Sequence, residues 1–307
     1  MDKKKVLITG SNGLLGQKLV KLLSNHAEFE LMATSRGPNR ISAIQGFTYL
    51  ELDITNQQQV DQVFESQCPD IVINTAAMTN VDACESEKDL CWDMNVNAVE
   101  YQVEACKKIK AHFIHLSTDF VFDGKAGPYV ESDRPNPVSF YGWSKYAAEL
   151  CVEMSGLDSW AIARTIIIYG VVEDMSRSNV VLWAKGAMEK GSPINVVDDQ
   201  FRSPTLAEDL AQGCIQIAEK GATGIYHLSG IEVMSILELV KKVGDFFKLD
   251  TSIVTPIQSA TLNQTAKRPP YTGFIIDKAI KELQYQPKSF EEGLEVLSLQ
   301  LESKQES

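Results

Sequence analysis

Tyr141 and Lys145 stand four apart in Tyr141-Gly142-Trp143-Ser144-Lys145, at the start of a helical pattern. That spacing puts a phenol and an ammonium on one helix face, one turn apart. A phenol ordinarily titrates near ~10. A neighbouring ammonium favours phenolate, so Lys145 is expected to bring Tyr141 toward the working pH and let it pass a proton to a substrate oxygen. Such pairs are common on surfaces; this one gains weight from Ser117-Thr118-Asp119 at the end of an apolar strand. Thr118 can donate to an oxygen as negative charge develops there. Asp119 can accept from a substrate hydroxyl, or simply cap its loop.

A second constellation opens the chain. Gly10-Ser11-Asn12-Gly13-Leu14-Leu15-Gly16 follows the first apolar run and leads into an amphipathic stretch. Glycines there allow a tight turn, a close approach of backbone to a pyrophosphate and close helix–strand packing, while free helix amides attract negative charge. The next strand ends in Thr34-Ser35-Arg36 with no acid to hold ribose hydroxyls. Arg36 and Ser35 suit a 2′-phosphate instead, which makes NADPH the expected cofactor and NADH its alternative. Asp53 and Ile54, after the third strand, are placed to meet an adenine amino group and cover its ring.

These residues need a frame that collects strand ends. Short apolar strands ending at Thr9, Thr34, Leu52, Asn74, Ser117 and Thr165 alternate with helical patterns at Gly13–Leu23, Gln57–Glu65, Lys88–Lys107 and Tyr141–Met154. That alternation predicts an α/β fold, a doubly wound parallel sheet of the Rossmann type, with ligands at the strands' carboxyl ends. Residues 1–170 are expected to form the cofactor domain. Residues 171–307 are expected to form a smaller C-terminal α/β substrate lobe, with some segments returning to the main sheet. In that half the spacing predicts helices over Asn179–Lys190, Thr205–Lys220, Ile236–Phe247, Lys278–Leu283 and Glu291–Leu301, and strands near Ile194–Val197 and Ile225–Leu228.

The 307 residues carry a net charge of -12, which repels nucleic acid and anionic membrane surfaces. No apolar run is long enough to span a bilayer and the start lacks a signal-peptide core, so the expected location is the cytoplasm. The six cysteines show no paired ligand spacing, which argues against a metal site. His115 and His227 read as hydrogen-bonded interior histidines, and Trp143, Trp160 and Trp183 as packing residues.

Taken together, the glycine loop, Asn74-Thr75-Ala76-Ala77, Asn95 within MNVNA, STDFVFDG, YGWSKYAAE, Arg164-Thr165 to Tyr169-Gly170 and DQFRSPTLAEDLA occur in one order over nearly the whole chain. In this the chain resembles the dTDP-4-dehydrorhamnose reductases of the extended short-chain dehydrogenase superfamily. The resemblance implies Tyr141 as proton donor, Lys145 on the nicotinamide ribose, Thr118 and Asp119 on the sugar, and Ala76, Ala77 and Met78 along the cofactor. Asn95 would hold a water in a proton path. It implies a nucleotide-diphosphate sugar as partner, leaves a homodimer open, and makes the reaction reduction of a 4-keto-6-deoxy sugar. Two departures bear on the sugar: Ile167 falls where the family places a sugar-contacting Trp, and Arg202 where it places a glycine. Rival readings are an epimerase or dehydratase of the same superfamily and a cofactor-binding regulatory subunit. Against a dehydratase, Asp119 is followed by Phe120 rather than Glu.

Overall fold

The structure is a computed structural model and describes residues 3–41, 43–174 and 178–305. Six strands come from the first half: β1 (Lys4–Thr9), β2 (Phe29–Ser35), β3 (Phe47–Glu51), β4 (Ile71–Asn74), β5 (His112–Thr118) and β6 (Trp160–Thr165). A seventh main-sheet strand, Gly224–His227, pairs with β6, and all seven run parallel. From one edge the order is Gly224–His227, β6, β5, β4, β1, β2, β3. The order reverses between β1 and β4, which opens a crevice beyond their carboxyl ends.

Helices cover both faces, so strand residues are buried on both sides and read as continuous apolar runs rather than alternating ones. One face takes α1 (Leu14–Leu23), whose Leu15, Leu19 and Leu23 pack with Ile215 and Ile217 from a later helix. The other takes α2 (Gln57–Gln67), then, beyond two short helices α3 (Val81–Ser86) and α4 (Lys88–Trp92), α5 (Ala98–Ile109) and α6 (Phe140–Glu153). There Val60, Phe64, Val103 and Val152 close a second core against Leu7 and Phe113.

The single helix expected over Lys88–Lys107 is broken. A π turn at Asp93–Asn97 separates α4 from α5 and turns Asn95 inward. Its amide is taken by protein: Oδ1 accepts from the Met78 N–H at 2.8 Å, and Nδ2 donates to the Met78 carbonyl and to Ser144 Oγ, both at 3.0 Å. These bonds fix the amide of the residue to which the resemblance assigns a water. Trp143 departs from its expected packing role as well, being half exposed on α6.

After Gly170 the chain builds a third core from α7 (Val180–Glu189) and two later helices. Small strand pairs tie it together: β7 (Ile168–Tyr169) with Thr205–Leu206, β8 (Ile194–Val197) with Val254–Ile257, and β9 (Phe201–Arg202) with Met234–Ser235. In chain order the remaining elements are β10 (Thr205–Leu206), α8 (Ala207–Lys220), β11 (Gly224–His227), β12 (Met234–Ser235), α9 (Ile236–Phe246), β13 (Val254–Ile257), α10 (Asp277–Leu283) and α11 (Phe290–Gln305). The return of chain to the main sheet is made by α8, which packs on α1, and by β11.

Candidate active site

Gly10 leaves β1 with φ +77, a conformation open to glycine and strained for other residues. A Cβ here would lie 2.8 Å from the Ala76 backbone nitrogen, and one on Gly16 would lie 2.3 Å from the Gly10 carbonyl oxygen. The loop can therefore touch β4's end and the start of α1 only without side chains at these two places. Gly13 N–H donates to the Gly10 carbonyl at 3.0 Å, closing the turn. Asn12 secures the next wall, donating to the Pro38 carbonyl and accepting from Arg40 N–H, each at 3.0 Å.

Beyond this turn lies a groove of about 340 Å³ at the switch point between β1 and β4. Of the residues singled out above, it brings together Gly10, Asn12, Gly13, Ser35, Arg36, Asp53, Ile54, Ala76 and Ala77. Leu14 begins α1, half-buried. Leu15 faces the core, so its backbone amide, not its side chain, is what it can offer a ligand. Asp53 is partly engaged, since its Oδ1 accepts from Thr55 N–H at 3.0 Å and Thr55 Oγ1 at 2.7 Å. Arg40 also lines the groove and was not singled out from the sequence. The signal was its place four residues after Arg36 in Ser-Arg-Gly-Pro-Asn-Arg, a loop that brings two guanidinium groups to the groove.

A dinucleotide fits this groove on observations of the protein itself. Two glycines keep side chains out of the turn, and two arginines stand at the far end. The buried hydroxyl of Ser11 has no hydrogen-bond partner among the described residues.

Past the Ala76–Ala77 end of the groove, Met78 packs with Tyr141, Cys84 and Cys91. Ser139 starts α6 by accepting from Gly142 N–H at 3.2 Å, which sets Tyr141 in the first turn. The phenol is buried beside the Thr118 hydroxyl at the end of β5. Burial pushes Tyr141 well above the ordinary phenol range, with the Thr118 hydrogen bond opposing it. The expected lowering of the phenol is thus not what the protein alone produces, because desolvation dominates. Lys145, one turn on, is buried and lowered by desolvation to about 8, against the raising effect of Glu149.

Asp119 and Arg202 are placed differently from an open sugar pocket. The Asp119 carboxylate is fully buried, accepting from Thr118 Oγ1 at 3.1 Å and from Thr272 Oγ1, with Arg202 Nε at 3.4 Å. Burial raises this carboxyl, and Arg202 opposes the rise. Arg202 donates to the carbonyls of Phe201 at 2.7 Å, Pro269 at 2.6 Å and Pro270 at 3.2 Å. In place of a part in the sugar pocket, its guanidinium is committed to the loop before Tyr271, because a buried cation needs partners. Ile167 is half-buried with φ +28, a strained conformation for a β-branched residue, between β6 and β7.

Comparison with known proteins adds the family. The RmlD substrate binding domain model matches residues 4–302. A dTDP-4-dehydrorhamnose reductase from Aggregatibacter actinomycetemcomitans is 32% identical over 302 residues, covering 94% of this chain and 97% of that one. The methionine adenosyltransferase 2 subunit beta of Xenopus tropicalis is 30% identical over 269 residues, covering 86% of this chain and 78% of its own. Among solved structures, dTDP-4-dehydrorhamnose reductase from Bacillus anthracis in complex with NADP superposes with a TM-score of 0.84 at 31% identity, covering 97% of this chain and 99% of that one. On the glycine turn, the seven-stranded order and a family match running almost end to end, the chain belongs to the RmlD substrate binding domain family.

Proposed function

We propose that this protein is an NADPH-dependent reductase of a nucleotide-linked 4-keto-6-deoxy sugar, of the dTDP-4-dehydrorhamnose reductase kind. The observation that carries the reading is the meeting of the Tyr141 phenol and the Thr118 hydroxyl next to Met78, where the glycine-lined groove ends. A bound reduced nicotinamide supplies hydride to the ketone carbon. The residues of the chain manage the oxygen. Tyr141, kept protonated by burial, gives its proton to that oxygen, and Thr118, turning its one hydroxyl proton away from Asp119, donates a hydrogen bond to it as charge develops. Arg36 and Arg40 hold the 2′-phosphate end, and the open turn from Gly10 to Gly16 takes the diphosphate against the start of α1.

Before substrate binds, Asp119 holds the Thr118 hydroxyl by accepting its proton, rather than reaching the sugar itself. The half-buried aliphatic Ile167 and the committed Arg202 leave the sugar pocket without the family's stacking ring, so preference among ketosugars is set elsewhere in the lobe. The reading is tested by mixing the protein with NADPH and a panel of nucleotide-linked 4-ketosugars and following absorbance. Stoichiometric oxidation with at least one ketosugar is expected. Tight NADPH binding with no oxidation across the panel would instead make the protein a cofactor-binding subunit, and turnover without net oxidation would make it an epimerase.

A further inference from the structure

Lys145 is 3% exposed, and its Nζ lies 3.1 Å from His115 Nε2, a fully buried ring in the middle of β5. On the adjacent strand, in direct register, stands Asn74, whose Nδ2 lies 3.1 Å from His115 Nδ1. The Asn74 oxygen is held by two donors, Thr9 Oγ1 at 2.7 Å and the Ala76 backbone N–H at 3.2 Å. A backbone N–H can only donate, so the Asn74 amide is oriented with its NH₂ toward the ring. Nδ1 must then accept, and the single proton of a neutral imidazole sits on Nε2. That proton points at Lys145, which can receive it only through the lone pair of an uncharged amine.

An ammonium at Lys145 demands the opposite arrangement. It has no lone pair, so Nε2 must accept, the ring proton must move to Nδ1, and the Asn74 amide must turn, leaving the Ala76 N–H facing an NH₂ group. We propose that Asn74 and His115 are positioning residues for Lys145, and that Lys145 changes charge only together with the His115 tautomer and the Asn74 amide. The Ala76 bond opposes the charged state, so the network holds Lys145 toward the neutral amine. A neutral amine does not favour phenolate, which leaves Tyr141 protonated and ready to donate.

The other groups facing Lys145 do not replace this control. Glu149, one turn on in α6, is bound through both oxygens to Arg164 at 2.9 and 2.6 Å. Cys91 of α4 reaches the Ser144 hydroxyl at 3.4 Å, and Tyr141 lies one turn earlier beside Thr118. His115 itself stays uncharged, since full burial and the neighbouring Lys145 hold it well below the ordinary imidazole range.

The catalytic meaning rests on the reductase reading, but the test does not. Ring ¹⁵N shifts of His115, assigned with a His115→Gln variant, report the tautomer in the free protein from pH 6 to pH 10. The expected result is the Nε2–H form at high pH and a single-step change to Nδ1–H as pH falls. An Asn74→Asp variant offers a carboxylate that accepts from Thr9, Ala76 and Nδ1–H at once. It should hold the Nδ1–H form and move the midpoint up by about one to three pH units, as a nearby opposite charge does. One tautomer throughout in the wild type, or an unmoved midpoint in Asn74→Asp, overturns the proposal. Should that variant not fold, the wild-type titration decides alone.

Discussion

Asp119 directly follows Thr118, yet the two side chains serve different ends. Thr118 places its hydroxyl beside the phenol and donates to Asp119, whose carboxylate turns inward to Arg202 and Thr272. Removing one partner of a buried ion pair strands the other charge, which costs about 3–5 kcal/mol. Asp119→Ala is therefore expected to lower the urea unfolding free energy by about that amount, whereas a surface carboxylate would change it little. An Asp119→Ala protein as stable as the parent would show that Arg202 finds other partners. At this scale the sequence was informative about residue types and poor about burial. That Tyr141, Lys145 and Thr118 would come near one another was legible from spacing and strand position. What Arg202 does was not, because its partners, Asp119 and the carbonyls of Pro269 and Pro270, are far away in sequence.

Among the elements, the strand–turn–helix at the start shows how closely local sequence can dictate geometry. The glycine spacing predicted a turn with room for phosphate, and the packing shows why the third glycine is needed: its hydrogen occupies the space between α1 and the Gly10 carbonyl. Gly16→Ala would force these apart, at about 1–3 kcal/mol for overpacking of this kind. The expected outcome is a lower melting temperature and a weaker NADPH titration together. An alanine variant that bound NADPH as tightly as the parent would mean the turn does not form the diphosphate site. Periodicity was less informative about Lys88–Lys107, because an inserted residue in a π turn preserves apolar spacing on either side while redirecting Asn95. The two-residue strands β7, β9, β10 and β12 were missed altogether, since strands so short carry no alternation to read.

Over the whole molecule, strand order and the covering helices could be read from alternating apolar patterns, since burial on both faces leaves a strong signal. How β11 and α8 rejoin the main sheet could be expected only in outline, because the paired residues of β6 and β11 stand 63 apart in the chain. One property belongs to the molecule as a whole. His112, His115 and His227 are all held below the ordinary imidazole value by burial, His112 at about 4. The unfolded chain takes up protons at these rings below about pH 6.5, and the folded chain does so only at lower pH. Their contribution is thus complete above about 6.5 and is lost as pH falls toward 4, at about 1.4 kcal/mol per pH unit for each ring. Melting temperature should fall steadily between pH 6.5 and 4.5, and a flat profile over that range would contradict the buried neutral state of these rings.

Proton donation by Tyr141 is the claim on which the functional account turns, and Tyr141→Phe isolates it because the ring and its packing against Phe120 and Met78 are kept. NADPH affinity and ketosugar-dependent NADPH oxidation should be measured on the same preparation. The account predicts affinity near that of the parent and turnover reduced by about 10²–10⁴-fold, the contribution usual for a general acid. Turnover at the parental rate with NADPH bound would contradict it.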